Sequence, residues 1–212
     1  VAQAALAEGL EVYDLYYTAG SSTMVTAFEG EIDQFSDTTT LGAGFRCVVD
    51  GSMGYANTQK LCEEEAVRLV RDAKAGALAI EAKGFTQIYP GGGQYAALPE
   101  AEDSPCDVER LKDAALSLER LARAADGRVE STPFSAVQYS AREVALWNSY
   151  GLDLHTRQAG YGAHYEAVVA EGGRKYTGSA SEEALSLEGL ALEAIAKEAV
   201  GLAVGSIGGS SV

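Results

Sequence analysis

Apolar and polar residues alternate along residues 41–49, which is the pattern of a β-strand with one buried face. The apolar face consists of alternate residues, Leu41, Ala43, Phe45, Cys47 and Val49. The other face carries glycine, arginine, valine and aspartate. A period of two therefore predicts a strand whose first face packs in a core.

Two dipeptides of an acidic residue and glycine, Glu29-Gly30 and Asp50-Gly51, lie before and after this strand region. Glycine adopts positive φ at no steric cost, so both dipeptides suit tight hairpin turns. Residues 24–58 are therefore predicted to form an antiparallel meander. We expect Thr58 to cap a helix over residues 59–83, where apolar residues recur at helical spacing.

The remaining patterns predict more strands and three more helices, the first of them over residues 1–9 and ended by Gly9. Residues 11–57 and 128–179 have the alternation of antiparallel sheets. Ser104 is expected to be the N-cap of a helix that ends at Gly127, because serine accepts hydrogen bonds from free amides of the first turn. Residues 186–204 are predicted to form the last helix.

The two halves of the chain repeat the same order of patterns. A shift of 120 positions places residues 41–49 on residues 161–169, with the same parity of apolar positions. The predicted fold class is α+β, with duplicated helix–antiparallel-strands–helix units whose helices pack on antiparallel sheets. The predicted domain covers the whole chain as two pseudo-repeats, about 1–103 and 104–205. Residues 205–212 are glycine- and serine-rich and are expected to begin a linker to a C-terminal domain.

The composition is that of an ordinary globular protein, with 47% hydrophobic residues among 212 and a net charge of −15. This charge argues against nucleic acids and anionic membranes as partners, since both attract basic proteins. No apolar run approaches the roughly 18 to 20 residues that a spanning helix needs. The three cysteines, Cys47, Cys62 and Cys106, are widely spaced, which favours a reducing, cytoplasmic compartment.

Several motifs resemble the N-terminal half of the TldD/PmbA family. They are FEGEIDQF at residues 28–35, TTTLGAGFRCVVDGSMGYANT at 38–58, and REVALWNSYGLDLHT at 142–156. The aromatic strand GYGAHYEAVVAEGG at 160–173 is more similar to the PmbA branch, also called TldE, than to the TldD branch.

The resemblance implies a cytoplasmic metallopeptidase system for proteolysis and peptide maturation, in which TldD and TldE act together on unfolded or leader peptides. Zinc is then expected in the catalytic partner or homologue and not in this chain, because the sequence has no HExxH or HExxxD motif. No catalytic residue and no cofactor is carried over. The implied function is that of a non-catalytic N-terminal domain that is inactive alone and pairs with a TldD-like subunit or with itself. The family is also named modulator of DNA gyrase, but this name does not imply DNA binding, because the net charge of −15 argues against it.

A metal site is an alternative that the two histidines suggest. If Ala159-Gly160 is a hairpin turn, His155 lies opposite His164, and Asp153 lies opposite Glu166. Cross-strand Cβ atoms are about 5 Å apart. Two imidazoles and two carboxylates could then share one divalent ion in a small self-contained enzyme. The other interpretation is a polar strand face with ordinary histidines.

The main hypothesis requires a surface that binds a peptide or a partner subunit. Gly42, Gly44 and Arg46 lie opposite the predicted core face, where small residues let another backbone come close. Tyr161 and Tyr165 are candidates because tyrosine buries area while keeping a polar tip. An unfolded peptide could also add to a sheet edge. The remaining alternative is a scaffold that only dimerises.

Overall fold

The structure is a computed structural model, which describes residues 1–81, 84, 86–96 and 106–209. Its elements are, in chain order, α1 Ala2–Ala7, β1 Val12–Phe28, β2 Glu31–Val49, β3 Ser52–Thr58, α2 Glu63–Ala79, α3 Val108–Ala125, β4 Val129–Asn148, β5 Asp153–Glu171, β6 Arg174–Ala184, a 3₁₀ turn Leu187–Gly189, and α4 Leu192–Gly205. The strands form one six-stranded sheet in the order β3-β2-β1-β4-β5-β6. The predicted α+β class is confirmed, because a helix, three strands and a helix follow one another twice.

Both predicted hairpin turns are present. Glu29 and Gly30 have φ values of 54° and 82°, and Asp50 and Gly51 have φ values of 50° and 81°. Two successive residues with positive φ give the turn whose twist matches the flanking strands. β2 pairs antiparallel with β3, and Cys47 is the partner of Gly54. The predicted strand over 41–49 is thus confirmed as the second half of β2.

One compact unit, here unit 1, is formed by residues 1–20, 39–101 and 142–158. Its core joins the sheet to α1 and α2 and contains the buried residues Ala5, Leu10, Ala43, Phe45, Cys47, Leu69, Val70 and Ala73. The predicted apolar face of β2 therefore packs on α2. The Tyr13 ring lies beside the Phe45 ring, with centroids 5.6 Å apart.

The other compact unit, unit 2, is formed by residues 21–38, 102–141 and 159–212. Helices α3 and α4 contribute Leu111, Leu118, Ile195 and Val200 to its core, and the strands contribute Val25, Val137 and Tyr165. The apolar stripe of α3 faces this core. Asp107 caps α3, with Oδ1 accepting from the amides of Glu109 at 3.1 Å and Arg110 at 3.3 Å.

Helix starts differ from the predictions. Thr58 is the last residue of β3, and its Oγ1 accepts from the Lys60 amide at 3.1 Å, so it closes a turn and does not cap α2. The helix begins at Glu63, after the extended residue Cys62. Three glutamates occupy its first turn, where the helix dipole favours negative charge. The predicted N-cap Ser104 lies outside the described residues.

The last helix is shorter than predicted because residues 187–189 form a separate 3₁₀ turn. Ser186 Oγ caps that turn by accepting from the Gly189 amide at 3.2 Å. Leu190 then adopts an extended conformation and is buried in the core of unit 2, and α4 starts only at Leu192.

The turn predicted at Ala159-Gly160 does not exist. β5 runs through both residues without interruption, from Asp153 to Glu171. It has β4 on one side and β6 on the other, so sheet pairing overrides the local turn preference of the dipeptide. The predicted repeat boundary near residue 103 lies outside the described residues. The linker beginning at 205 stays a prediction.

Candidate partner-binding surface

Arg46 lies on the face of β2 opposite Phe45 and Cys47, as predicted, and it is paired with the buried carboxylate of Asp14. Its Nε donates to Asp14 Oδ1 at 2.9 Å, and its Nη2 forms a second bond to Asp14 Oδ2. The hydrogen bond to Asp14 raises the pKa of Arg46. The Asp14 side chain is 6% exposed and the Arg46 side chain 47%. The pair therefore holds an arginine at a fixed position, with part of its guanidinium open to solvent.

The space beside Gly44 is filled by the protein itself. A Cβ atom added at Gly44 would lie 3.3 Å from Cε2 of Tyr55, whose side chain is largely exposed. Tyr55 is the cross-strand partner of Arg46. At Gly42 an added Cβ would be in ordinary contact, 3.8 Å from the Thr58 carbonyl oxygen. A backbone that approaches at Gly44 would have to displace this exposed ring, and the approach itself stays a prediction.

A second arginine, which the sequence interpretation missed, lies in the same unit. Arg142 of β4 donates from Nη2 to Tyr16 Oη at 3.0 Å and from Nε to Thr18 Oγ1 at 3.4 Å. Tyr16 and Thr18 share strand parity with Asp14, so their side chains lie on one face of β1. The sequence signal that could have identified this face was the alternation of polar residues along β1. The open face of unit 1 thus carries Arg46 and Arg142, bound to alternate residues of β1.

The two tyrosines proposed for the surface lie in unit 2. Tyr165 is fully buried in the core, and burial raises its pKa. It cannot touch a ligand on an open surface, so this assignment is wrong. Tyr161 is partly buried against the same core, with its ring centroid 5.1 Å from that of Tyr139. The alternation that suggested an aromatic surface belongs to the core face of β5.

The four residues of the alternative metal site are not brought opposite one another, since the turn on which their pairing depends is absent. His155 Nε2 lies 2.9 Å from Glu143 Oε1 in unit 1. The His164 ring packs edge-on against Phe134 in unit 2, with centroids 5.5 Å apart. Within the described ranges no group of three or more histidine, cysteine, aspartate or glutamate residues could hold a metal ion.

The edge strands of the sheet are β3 and β6. β6 is eleven residues long and pairs with β5 along its whole length. Its exposed face consists of polar residues at alternate positions, Lys175, Thr177, Ser179, Ser181 and Glu183. An edge strand presents backbone N–H and C=O groups that can pair with an added strand.

Two models of one family match the chain. The PmbA/TldA metallopeptidase domain 1 matches residues 13–77, and the PmbA/TldA metallopeptidase central domain matches residues 102–207. The chain therefore belongs to the PmbA/TldD metallopeptidase family. Among the described helices, none has both the length and the apolar character that crossing a membrane requires.

Solved structures share the fold. A proposed modulator of a DNA gyrase from Thermotoga maritima is 21% identical with a TM-score of 0.83, over 98% of this chain and 47% of that chain. A second proposed modulator of DNA gyrase, from Bacteroides thetaiotaomicron, is 18% identical with a TM-score of 0.84, over 99% and 49%. TldE from Thermococcus kodakarensis is 18% identical with a TM-score of 0.69, over 92% and 44%. The chain spans less than half of each of these structures. No curated protein sequence matches it.

Proposed function

We propose that this chain is the N-terminal, non-catalytic region of a TldE/PmbA-type subunit, which holds unfolded or leader peptides for a metallopeptidase. Membership of the family supports the general assignment, since both matched models describe metallopeptidase domains. The likeness to TldE from Thermococcus kodakarensis supports the fold of that branch. In this proposal zinc belongs to a TldD-like partner or homologue, and the assembly is cytoplasmic.

The observation that carries the proposal is the long edge strand β6. Its backbone pairs with β5 on one side and is the sheet edge on the other. An extended peptide can add to such an edge through main-chain hydrogen bonds, which do not depend on the peptide sequence. This mode suits substrates that share an unfolded backbone and little else. The polar side chains of Ser179 and Ser181 allow only modest selectivity.

Dimerisation is the second candidate, and the same edge favours it. Two copies of β6 could pair across a twofold axis, and a twofold interface uses one surface twice. A scaffold that only dimerises would then have its edge occupied by its own copy. Peptide binding and dimerisation differ in whether the β6 edge is open to an added peptide or already paired with a second copy of the chain.

Hydrogen exchange with and without an unfolded peptide tests the proposal. The probe is a neutral ten-residue peptide, and the matched control is the same peptide with every backbone amide methylated. We expect the unmodified peptide to slow exchange in residues 174–184 and the methylated one to have no effect, because it cannot donate along the edge. Equal protection by both peptides, or unchanged exchange in both β3 and β6, would contradict peptide addition. Concentration-dependent protection of β6 without peptide would favour the dimer.

A further inference from the structure

The open face of unit 1 carries two arginines whose partners differ in charge. Arg46 binds the buried carboxylate of Asp14 through Nε and Nη2. Arg142 binds the hydroxyl groups of Tyr16 and Thr18, which are neutral. Arg46 is thus compensated within the protein, whereas the hydrogen bonds of Arg142 orient its guanidinium without neutralising it.

Carboxylate partners for arginine are plentiful in this chain, which has 31 aspartate and glutamate residues against 16 lysine and arginine residues. Four of the helix arginines bind carboxylates, whereas Arg120 is hydrogen-bonded to Ser117 Oγ: Arg68 pairs with Glu65, Arg71 with Glu8, Arg110 with Glu188 and Arg123 with Glu119. Arg142 is exposed on a strand, and among the described residues its hydrogen-bond partners are Tyr16 and Thr18. Its positive charge is therefore available to a ligand.

The geometry also leaves donors for that ligand. A guanidinium has five N–H groups in a planar fork, and Arg142 uses one from Nε and one from Nη2. The remaining N–H groups can bind both oxygens of a carboxylate, which is the geometry that arginine recognises best. Because Tyr16 and Thr18 already hold the side chain, little rotamer freedom is lost on binding.

We propose that the open face of β1 beside Arg142 binds an acidic side chain of an extended polypeptide. Arg142 makes the charged contact, and the Tyr16 hydroxyl positions the guanidinium. Arg46 on the neighbouring strand β2 is neutralised by Asp14, so the charged contact falls to Arg142. The inference rests on the proposed function, since it assigns a side-chain preference to a region that holds unfolded peptides.

Calorimetric titration of the purified protein at low ionic strength tests the site. One probe is a flexible glycine- and serine-rich peptide with two glutamates, acetylated and amidated so that its termini carry no charge. The second probe has glutamine at both positions. We expect the glutamate peptide to bind roughly tenfold more tightly than the glutamine peptide, as one charge-assisted paired contact warrants.

Variants locate the contact. Arg142→Gln is expected to abolish the preference for the glutamate peptide, and Arg142→Lys to reduce it, because lysine cannot form the fork. Arg120→Gln is the matched control: Arg120 is exposed on α3, is hydrogen-bonded to Ser117 Oγ, and its substitution removes the same charge. Tyr16→Phe keeps every charge and is expected to reduce the preference partially, which provides a second measurement if Arg142→Gln fails to fold.

The outcomes separate the two proposals. If both peptides bind with equal affinity, the acidic preference is wrong and peptide holding stands. If Arg120→Gln lowers the preference as much as Arg142→Gln, the effect comes from overall charge and the site is wrong. If neither peptide binds, both proposals fail together.

Discussion

A Cβ atom placed on Gly54 would lie 1.7 Å from the carbonyl oxygen of Ala73, so only glycine allows β3 to lie this close to α2. The same relationship occurs in the second half of the chain. A Cβ on Gly178 of β6 would lie 2.2 Å from the Ala199 carbonyl oxygen of α4. Real Cβ atoms do not come this close to backbone atoms. The close packing of β3 on α2 and of β6 on α4 therefore requires a glycine at each contact.

Substitution of either glycine should therefore destabilise the fold. We expect Gly54→Ala to lower the free energy of unfolding by about 3 kcal/mol, at the upper end of overpacking penalties, because backbone must move. Gly178→Ala should have a similar effect. Gly42→Ala is the control, since its Cβ would make only ordinary contact at 3.8 Å. Urea unfolding followed by circular dichroism measures all three, and equal midpoints for Gly54→Ala and Gly42→Ala would contradict the packing argument.

Glu119 should make the stability of the fold depend on pH in the acidic range. It is 1% exposed and accepts from the Gly30 amide at 2.9 Å, Thr132 Oγ1 at 2.9 Å and Arg123 Nε at 3.0 Å. Burial alone raises its pKa, but these hydrogen bonds outweigh burial and the pKa lies below 4.5. The pKa of Glu119 is lower in the folded protein than in the unfolded protein. Its stabilising contribution is therefore fully present at pH values above the unfolded-state pKa, and it is lost as the pH falls through the folded-state pKa.

We therefore expect Glu119→Gln to cost about 1–3 kcal/mol at pH 7, because the charged acceptor is lost in a buried site. The variant should also lose stability less steeply than the native protein below about pH 4.5. Glu109→Gln is the control: Glu109 is exposed, its partner among the described residues is Lys112, and such pairs contribute little. Thermal unfolding between pH 3 and 7 checks the prediction, and parallel pH profiles for native protein and Glu119→Gln would refute it.

The Arg46–Asp14 pair should respond unequally to removal of its two partners. Arg46→Gln leaves a buried carboxylate without its cation, and we expect a loss of about 3 kcal/mol. Asp14→Asn leaves an arginine that can turn to solvent, so the loss should be smaller. A double-mutant cycle with the two single variants and the double variant measures the coupling. Equal losses for the single variants would show that burial does not distinguish the partners.

The purified chain is expected to hold no stoichiometric zinc and to have no peptidase activity alone. The physical reason is that a catalytic zinc needs three gathered protein ligands and a carboxylate base. Elemental analysis and a peptide-cleavage assay are the measurements. One zinc per chain that disappears in the His155→Ala, His164→Ala double variant would instead support the metal alternative.

The sequence predicted local features well and pairing poorly. The positive φ values at Glu29-Gly30 and Asp50-Gly51 follow from glycine chemistry, and the burial of Phe45 and Cys47 follows from parity. Both are set by neighbours along the chain. The course of β5 through Ala159-Gly160 depends on β4 and β6 on either side, which no local pattern contains.

The candidate site shows the same limit. Arg46 was identified from its parity, but its partner Asp14 is 32 residues away and on another strand. Arg142 joins Tyr16 across 126 residues, so its role depends on the β1–β4 pairing in the middle of the sheet order. Tyr165 was misassigned because an aromatic residue suits a core and an interface equally well, and only the packing of α3 and α4 decides between them.

The hydrogen bond from the Gly30 amide to Glu119 has a consequence for synthesis on the ribosome. It joins the tip of the β1–β2 hairpin to a helix 89 residues later in the chain. During translation the hairpin emerges long before α3, so its tip has no carboxylate to bind and Val25 has no α3 side chains to cover it. Contacts of such long sequence separation slow folding. We expect the nascent N-terminal half to pass through a period with exposed strand edges, which favours chaperone binding and aggregation.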